Sequence, residues 1–213
     1  MSKTFIVAEL SANHGHKLET ALESVRAAKE AGADAIKIQT YTADTLTLNC
    51  DSKDFQLGEG LWNGEVLYTL YQKAYTPWEW HQAIYDEARK QGLVCFSTPF
   101  DKTAVDFLEG LGNPIMKIAS FEITDVGLLE YAAAKGRPMV ISTGIATPDD
   151  IELAIQTCRK AGNDDITLLK CTSAYPAPIE AANLMTMVDM KQRYGVKVGL
   201  SDHTMGHDVA VAA

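Results

Sequence analysis

Two lysines stand inside otherwise apolar runs, Lys37 in DAIKIQT and Lys117 in PIMKIAS. An ammonium group in an apolar strand is costly unless an anion faces it, so each position asks for a negative partner. The partner can be internal, as in a structural ion pair of Lys117 with Glu122 or Glu9. It can also be a ligand. Ser97, Thr98, Ser120, Ser142 and Ser201 close neighbouring apolar runs. Two ammonium groups among such hydroxyls read as a cradle for a phosphate or carboxylate. The same lysines would also serve a Schiff base with a carbonyl substrate, and residue types alone leave that chemistry open.

His203 in SDHT is a further candidate, with Asp202 beside it to orient the ring or bind a cation. His14 and His16 in NHGH are candidates to share its pocket, although their spacing matches no metal motif. The four cysteines, Cys50, Cys95, Cys158 and Cys171, show neither CxxC nor zinc-type spacing and read as small buried hydrophobes. Met185, Met187 and Met190 read as packing.

The elements that must position these groups repeat regularly. TFIVAEL, DAIKIQT, LVCFSTP, PIMKIAS, PMVISTG, ITLLKCTS and VKVGLSDH are short apolar runs, each with a polar residue towards its C-terminal end. Among those end residues are Glu9, Lys37, Gln39, Lys170, Thr172 and Ser173. Helix-length segments alternate with the runs. Their expected spans are 18–31, from Thr76-Pro77 to Gly92, from Asp101 to about Gly110, 126–134, from Thr147-Pro148 to Gly162, and within 179–194. Strands that are apolar without strict alternation are covered on both faces, which makes this a parallel α/β fold. The uninterrupted repeat favours a TIM (β/α)8 barrel, whose chemistry gathers at the strand C-termini. Neither GxGxxG nor a P-loop pattern appears, which weakens the doubly wound alternative.

One segment, 41–75, is too long for an ordinary loop after a strand. Trp62, Leu67, Tyr68, Leu70 and Tyr71 are expected to pack there as a small lid, or as an extra helix on the barrel flank. The run of elements ends after about strand seven, so 1–213 reads as an incomplete TIM-barrel catalytic domain lacking strand eight. The 213 residues are 46% hydrophobic and carry a formal charge of -9, which argues against nucleic-acid or anionic-membrane partners. No stretch approaches the roughly 20 apolar residues of a membrane span and no signal peptide is legible, so a cytoplasmic location is expected.

Taken together, ELSANH, KIQTYT, STPFDKTAVDFLE, KIASFEITD, ISTGIAT, CTSAYPAP and GLSDHT resemble the sialic-acid synthase family of phosphoenolpyruvate-dependent nonulosonate synthases. The resemblance covers essentially the whole chain in order. It implies a TIM barrel followed by a small antifreeze-like domain, absent here, which in a homodimer reaches the partner's active site. The implied reaction joins phosphoenolpyruvate to the open-chain aldehyde of an acetamido sugar, here 2,4-diacetamido-2,4,6-trideoxy-altrose, with release of phosphate. Family phosphoenolpyruvate positions fall on Lys37, Thr98, Lys117, Ser120, Ser142 and Ser201, and Asn13, His14 and Gln39 lie in motifs next to them. Glu122 falls on an active-site glutamate and Tyr175 on a motif tyrosine. His203 falls on one of two histidines for a divalent metal, Mn²⁺ or Mg²⁺, while the second histidine belongs to strand eight. Glu9 or Glu122 would handle protons. Two positions depart from the pattern. Gly15 stands where relatives making N-acetylneuraminate carry an acid, and Ser173 stands where they carry an asparagine. N-acetylneuraminate and legionaminate synthesis remain alternatives within the class. A Schiff-base aldolase and an inactive ligand-binding barrel fragment are the alternatives outside it.

Overall fold

The computed structural model describes residues 3–58 and 62–213. It divides into two compact units, Met1–Pro114 and Ile115–Ala213.

In the first unit, β1 (Val7–Glu9), β2 (Ala35–Thr40) and β3 (Val94–Pro99) pair in parallel, with α1 (Leu18–Glu30) between the first two. Between β2 and β3 come α2 (Ala43–Leu46), α3 (Leu67–Ala74) and α4 (His81–Gln91), and α5 (Lys102–Gly110) follows β3. Successive strand residues face opposite ways. Ile36 and Ile38 therefore turn to a core of Ala21 and Val25 from α1, Ile84 and Ala88 from α4, and Leu108 from α5. Lys37 and Gln39 take the other face. α5 starts where the sequence predicts, because the Asp101 carboxylate accepts the Ala104 N–H as an N-cap. Gly92 ends α4 at φ +69°, a left-handed conformation that a glycine adopts without steric cost.

The second unit repeats the pattern with β4 (Met116–Ile118), α6 (Val126–Ala133), β5 (Met139–Ser142), α7 (Pro148–Lys160), β6 (Ile166–Cys171), α8 (Met185–Tyr194), β7 (Lys197–Ser201) and α9 (Asp208–Ala212). Its four strands are parallel and paired in chain order. The start of α7 is fixed by a reciprocal capping box between Thr147 and Asp150, with Pro148 in the first turn. The fold is thus α/β of TIM-barrel type, followed through seven βα repeats.

The structure corrects one helix start. Thr76-Pro77 does not open an α-helix. A 3₁₀ turn, Trp78–Trp80, comes first, and α4 starts at His81. Thr76 is buried and its hydroxyl meets the His14 ring instead of capping. α8 lies within the expected span 179–194, starting at Met185 after a separate 3₁₀ turn at Ile179–Ala181. In the long segment, residues 59–61 lie outside the described residues. Around them, Tyr71 packs edge-on against Tyr41 and the Tyr68 hydroxyl donates to Asp44, but Trp62 is exposed. Leu67, Tyr68, Leu70 and Tyr71 all lie on α3, so the segment supplies the extra helix of the second expectation, with Trp62 outside it. No helix among the described residues is long and apolar enough to cross a membrane.

Candidate active site

The strand ends of the first unit present Lys37 between two partners. Its ammonium forms an ion pair with Glu9, the residue opposite it on β1. It also lies 3.5 Å from the Thr98 hydroxyl on β3. Gln39 is half-buried and in register with Thr98. The Lys37 side chain is 13% exposed against 40% for Glu9, so the pair opens to solvent on the carboxylate side.

Ser97 does not join this cradle. Alternation along β3 turns it to the helix side, where it is fully buried. There it forms a chain with Thr40 (Oγ to Oγ1, 2.6 Å) and, through Thr40, His81 (Oγ1 to Nε2, 2.8 Å). The Pro77 carbonyl gives this chain a preferred direction. His81 Nδ1 faces the Pro77 carbonyl at 3.2 Å, an acceptor only, so the ring proton sits on Nδ1. Nε2 must then accept from Thr40, and Thr40 in turn accepts from Ser97. Burial drives the His81 pKa down to about 4, which keeps the ring neutral. The chain clamps the outer sides of β2 and β3 one residue from Gln39 and Thr98.

Asn13 is exposed. His14 is fully buried, with Nε2 against Thr76 and Nδ1 accepting from the His16 N–H. Its ring packs edge-on against Trp80, so both ring nitrogens are occupied within the first unit.

In the second unit, a cluster forms at the ends of β4, β5 and β6. Ser120 Oγ accepts the Gly144 N–H at 3.2 Å and donates to Cys171 Sγ at 3.5 Å. The Ser173 hydroxyl and His203 Nδ1 each lie 3.9 Å from the same sulfur. His203 Nδ1 donates to the Thr172 carbonyl at 2.9 Å, and the Tyr175 ring lies over the imidazole with centroids 4.4 Å apart. Ser142 is buried, and Ser201 stands in register with Cys171. The orientation of His203 comes from Thr172. Asp202 turns its carboxylate to the N–H and hydroxyl of Thr204.

Lys117 is buried at the end of β4 and donates to the Ile118 carbonyl at 2.7 Å. Glu122 lies in the 3₁₀ turn Phe121–Thr124 that follows. Burial raises its pKa, against the pull of the Lys117 charge. One carboxyl oxygen, Oε2, is buried without a hydrogen-bond partner. A native fold rarely leaves such an atom unsatisfied, and when it does the atom is a natural contact for a ligand.

Cys171 was not legible as a site residue. Burial works to raise its pKa, but the contacts with His203, Ser120 and Ser173 outweigh that and draw the thiol down to about 7. Cys95 and Cys158 behave as expected of core thiols, pushed up by burial to about 12 and about 11. The available signal was the two-residue period, which puts Cys171 on the same face as Ser173. Gly144 was missed as well, although a glycine directly after the strand-end pair Ser142-Thr143 marks a close approach.

His203 offers one imidazole to a divalent ion. Among the described residues, no group of three or more His, Cys, Asp or Glu side chains gathers to hold one. The side chains present do not make a complete metal site.

Residues 24–213 match the NeuB family. The chain is 53% identical over 201 residues to the pseudaminic acid synthase of Helicobacter pylori, covering 94% of this chain and 59% of that protein. It is 49% identical over 211 residues to the pseudaminic acid synthase of Campylobacter jejuni, covering 99% and 62%. The chain thus spans about three fifths of the length of these relatives. Among solved structures, an N-acetylneuraminic acid synthetase from Leptospira borgpetersenii, in complex with citrate, superposes with a TM-score of 0.88 at 31% identity, over 99% of this chain and 69% of that one.

Proposed function

The chain belongs to the NeuB family, and from that membership we propose that it serves as a pseudaminic acid synthase, condensing phosphoenolpyruvate with 2,4-diacetamido-2,4,6-trideoxy-altrose. The products are pseudaminic acid and phosphate. The choice of sugar is supported by the identity of about half to the two pseudaminic acid synthases.

C3 of phosphoenolpyruvate attacks the aldehyde carbon, and the carbonyl oxygen takes a proton to become a hydroxyl. Water adds to the cationic C2, and the resulting tetrahedral carbon expels phosphate. The substrate carries a carboxylate and a phosphate, so ammonium and hydroxyl donors suit it. We assign anion-binding roles to Lys37 and Thr98 within the first unit and, separately, to Lys117, Ser120, Ser142 and Ser201 within the second. Tyr175 and His203 present a stacked polar face for the acceptor sugar. A divalent ion, when bound, would polarise the aldehyde oxygen as a Lewis acid.

The observation that carries the assignment of the proton carrier is Glu122. A buried carboxyl with a raised pKa and an unpartnered oxygen is suited to delivering a proton to the aldehyde oxygen or taking one from water. Glu9 is instead committed to Lys37 as its ion-pair partner. That pairing also counts against the Schiff-base alternative, which needs an uncharged amine.

Phosphate release from phosphoenolpyruvate, measured with and without the diacetamido-trideoxy-altrose on the complete natural polypeptide, tests the reading. Sugar-dependent release is expected, with N-acetylmannosamine and the legionaminate precursor competing poorly. Release with those aldehydes in preference would move the chain to another nonulosonate. Irreversible trapping by borohydride with the carbonyl substrate would replace the synthase with an aldolase.

A further inference from the structure

Lys170 is an ammonium group for which the condensation has no use. It lies near the end of β6 and is 8% exposed. Alternation turns it away from Cys171 and towards the side of β6 on which the segment 172–181 folds back. Its Nζ donates to the Thr172 hydroxyl at 2.6 Å and to the Ala181 carbonyl at 3.2 Å. Both acceptors are neutral, and among the described residues no carboxylate pairs with it. A cation so buried is costly, and a methionine of similar length would fill the space without that cost.

The bonds around it show what the charge does. The Thr172 hydroxyl, which accepts from Lys170, donates to Ala181 O at 3.1 Å, so the two ends of the segment are tied by three bonds with fixed direction. The backbone carbonyl of the same Thr172 receives His203 Nδ1–H at 2.9 Å. Since a carbonyl can only accept, the neutral imidazole must carry its proton on Nδ1 and its lone pair on Nε2. From the other side, the His203 carbonyl accepts the Ala177 N–H at 2.8 Å. Lys170, Thr172 and His203 line one small cavity.

We propose that Lys170 is a positioning residue: by pinning Thr172 and Ala181 it sets the Thr172 carbonyl that fixes the orientation and tautomer of His203. The placement of His203 in the reaction rests on the synthase reading, whereas the geometry does not.

The test has two arms. In the first, the imidazole nitrogens of His203 are observed by long-range ¹⁵N–¹H correlation in metal-free buffer and assigned with His203→Gln. The unsubstituted protein is expected to show Nδ1 protonated. Lys170→Met and Thr172→Val are each expected to give a tautomer mixture, and Thr172→Ser to restore the original pattern. In the second arm, Lys170→Met is expected to lower kcat about 10-fold or more with KM for phosphoenolpyruvate unchanged. Unaltered His203 nitrogen shifts in the folded variants would overturn the proposal, as would a loss of thermal midpoint with kcat intact. If Lys170→Met fails to fold, Thr172→Val decides. Absence of turnover in the unsubstituted protein would count against the synthase reading alone, because the nitrogen shifts need no turnover.

Discussion

A Cβ on Gly144 would stand 2.2 Å from the Ser173 hydroxyl oxygen, and 2.9 Å from that of Ser120. Those hydroxyls can rotate away, so Gly144→Ala should damage the site more than the fold. The expected stability loss is about 1 kcal/mol or less, with a clear rise in KM for phosphoenolpyruvate as Ser120 and Ser173 are displaced. Calorimetry beside steady-state kinetics separates the two effects. A variant that melts early but binds normally would show that the close approach serves packing.

Glu122→Gln keeps the shape and removes the proton. Because burial disfavours the charged form, the amide should leave stability unchanged or slightly higher. On the assigned role, kcat should fall by about 10²–10⁴. An active Glu122→Gln enzyme would return the proton transfer to Glu9.

His81 makes the fold sensitive to acid. Its folded pKa, about 4, lies below the ordinary imidazole value of 6.5. Between those values the unfolded chain takes up a proton that the folded protein refuses. Its contribution is therefore complete above about pH 6.5, falls as the pH drops towards about 4, and levels off below that. At about 1.4 kcal/mol per unit, the loss across the window is on the order of 3 kcal/mol. Urea unfolding at about pH 7 and about pH 4.5 measures it. An identical pH slope in His81→Gln would place the acid sensitivity elsewhere.

Thr147→Ala removes one half of the α7 capping box. The expected cost is about 1 kcal/mol of stability, with kcat unchanged, since among the described residues that hydroxyl meets Asp150 and no strand-end group. A fall in kcat at full folding would show that the N-terminus of α7 communicates with Ser142.

The repeat was legible because it is written twice, in the apolar runs and in the Gly, Pro and Asp signals that bound the helices. α5, α6 and α7 start within a residue of expectation for that reason. The start of α4 was misplaced because Thr76-Pro77 looks like a cap and first turn, while burial against His14 gives Thr76 another partner. Within the site, a lysine in an apolar strand demands an anion, but Glu9, expected as a partner for Lys117, pairs instead with Lys37, its neighbour in register across β1 and β2. Ser97 and Thr98 are adjacent hydroxyls of similar chemistry. Only strand alternation, with the register against β2, separates the one facing α4 from the one facing Lys37. Cys171 escaped because composition treats a thiol in a strand as a hydrophobe. What changes its character most is His203, 32 residues further on, and Ser120, 51 residues back.

With the His81 proton on Nδ1 towards the Pro77 carbonyl, the run from Ser97 through Thr40 to His81 has its protons in a single order. Reversing any member strands two donors or two acceptors face to face behind the strand ends. Drift at positions 40, 81 and 97 must therefore be concerted. Across descendants of this sequence the three should covary as one heritable unit, while the exposed turns around them diverge freely.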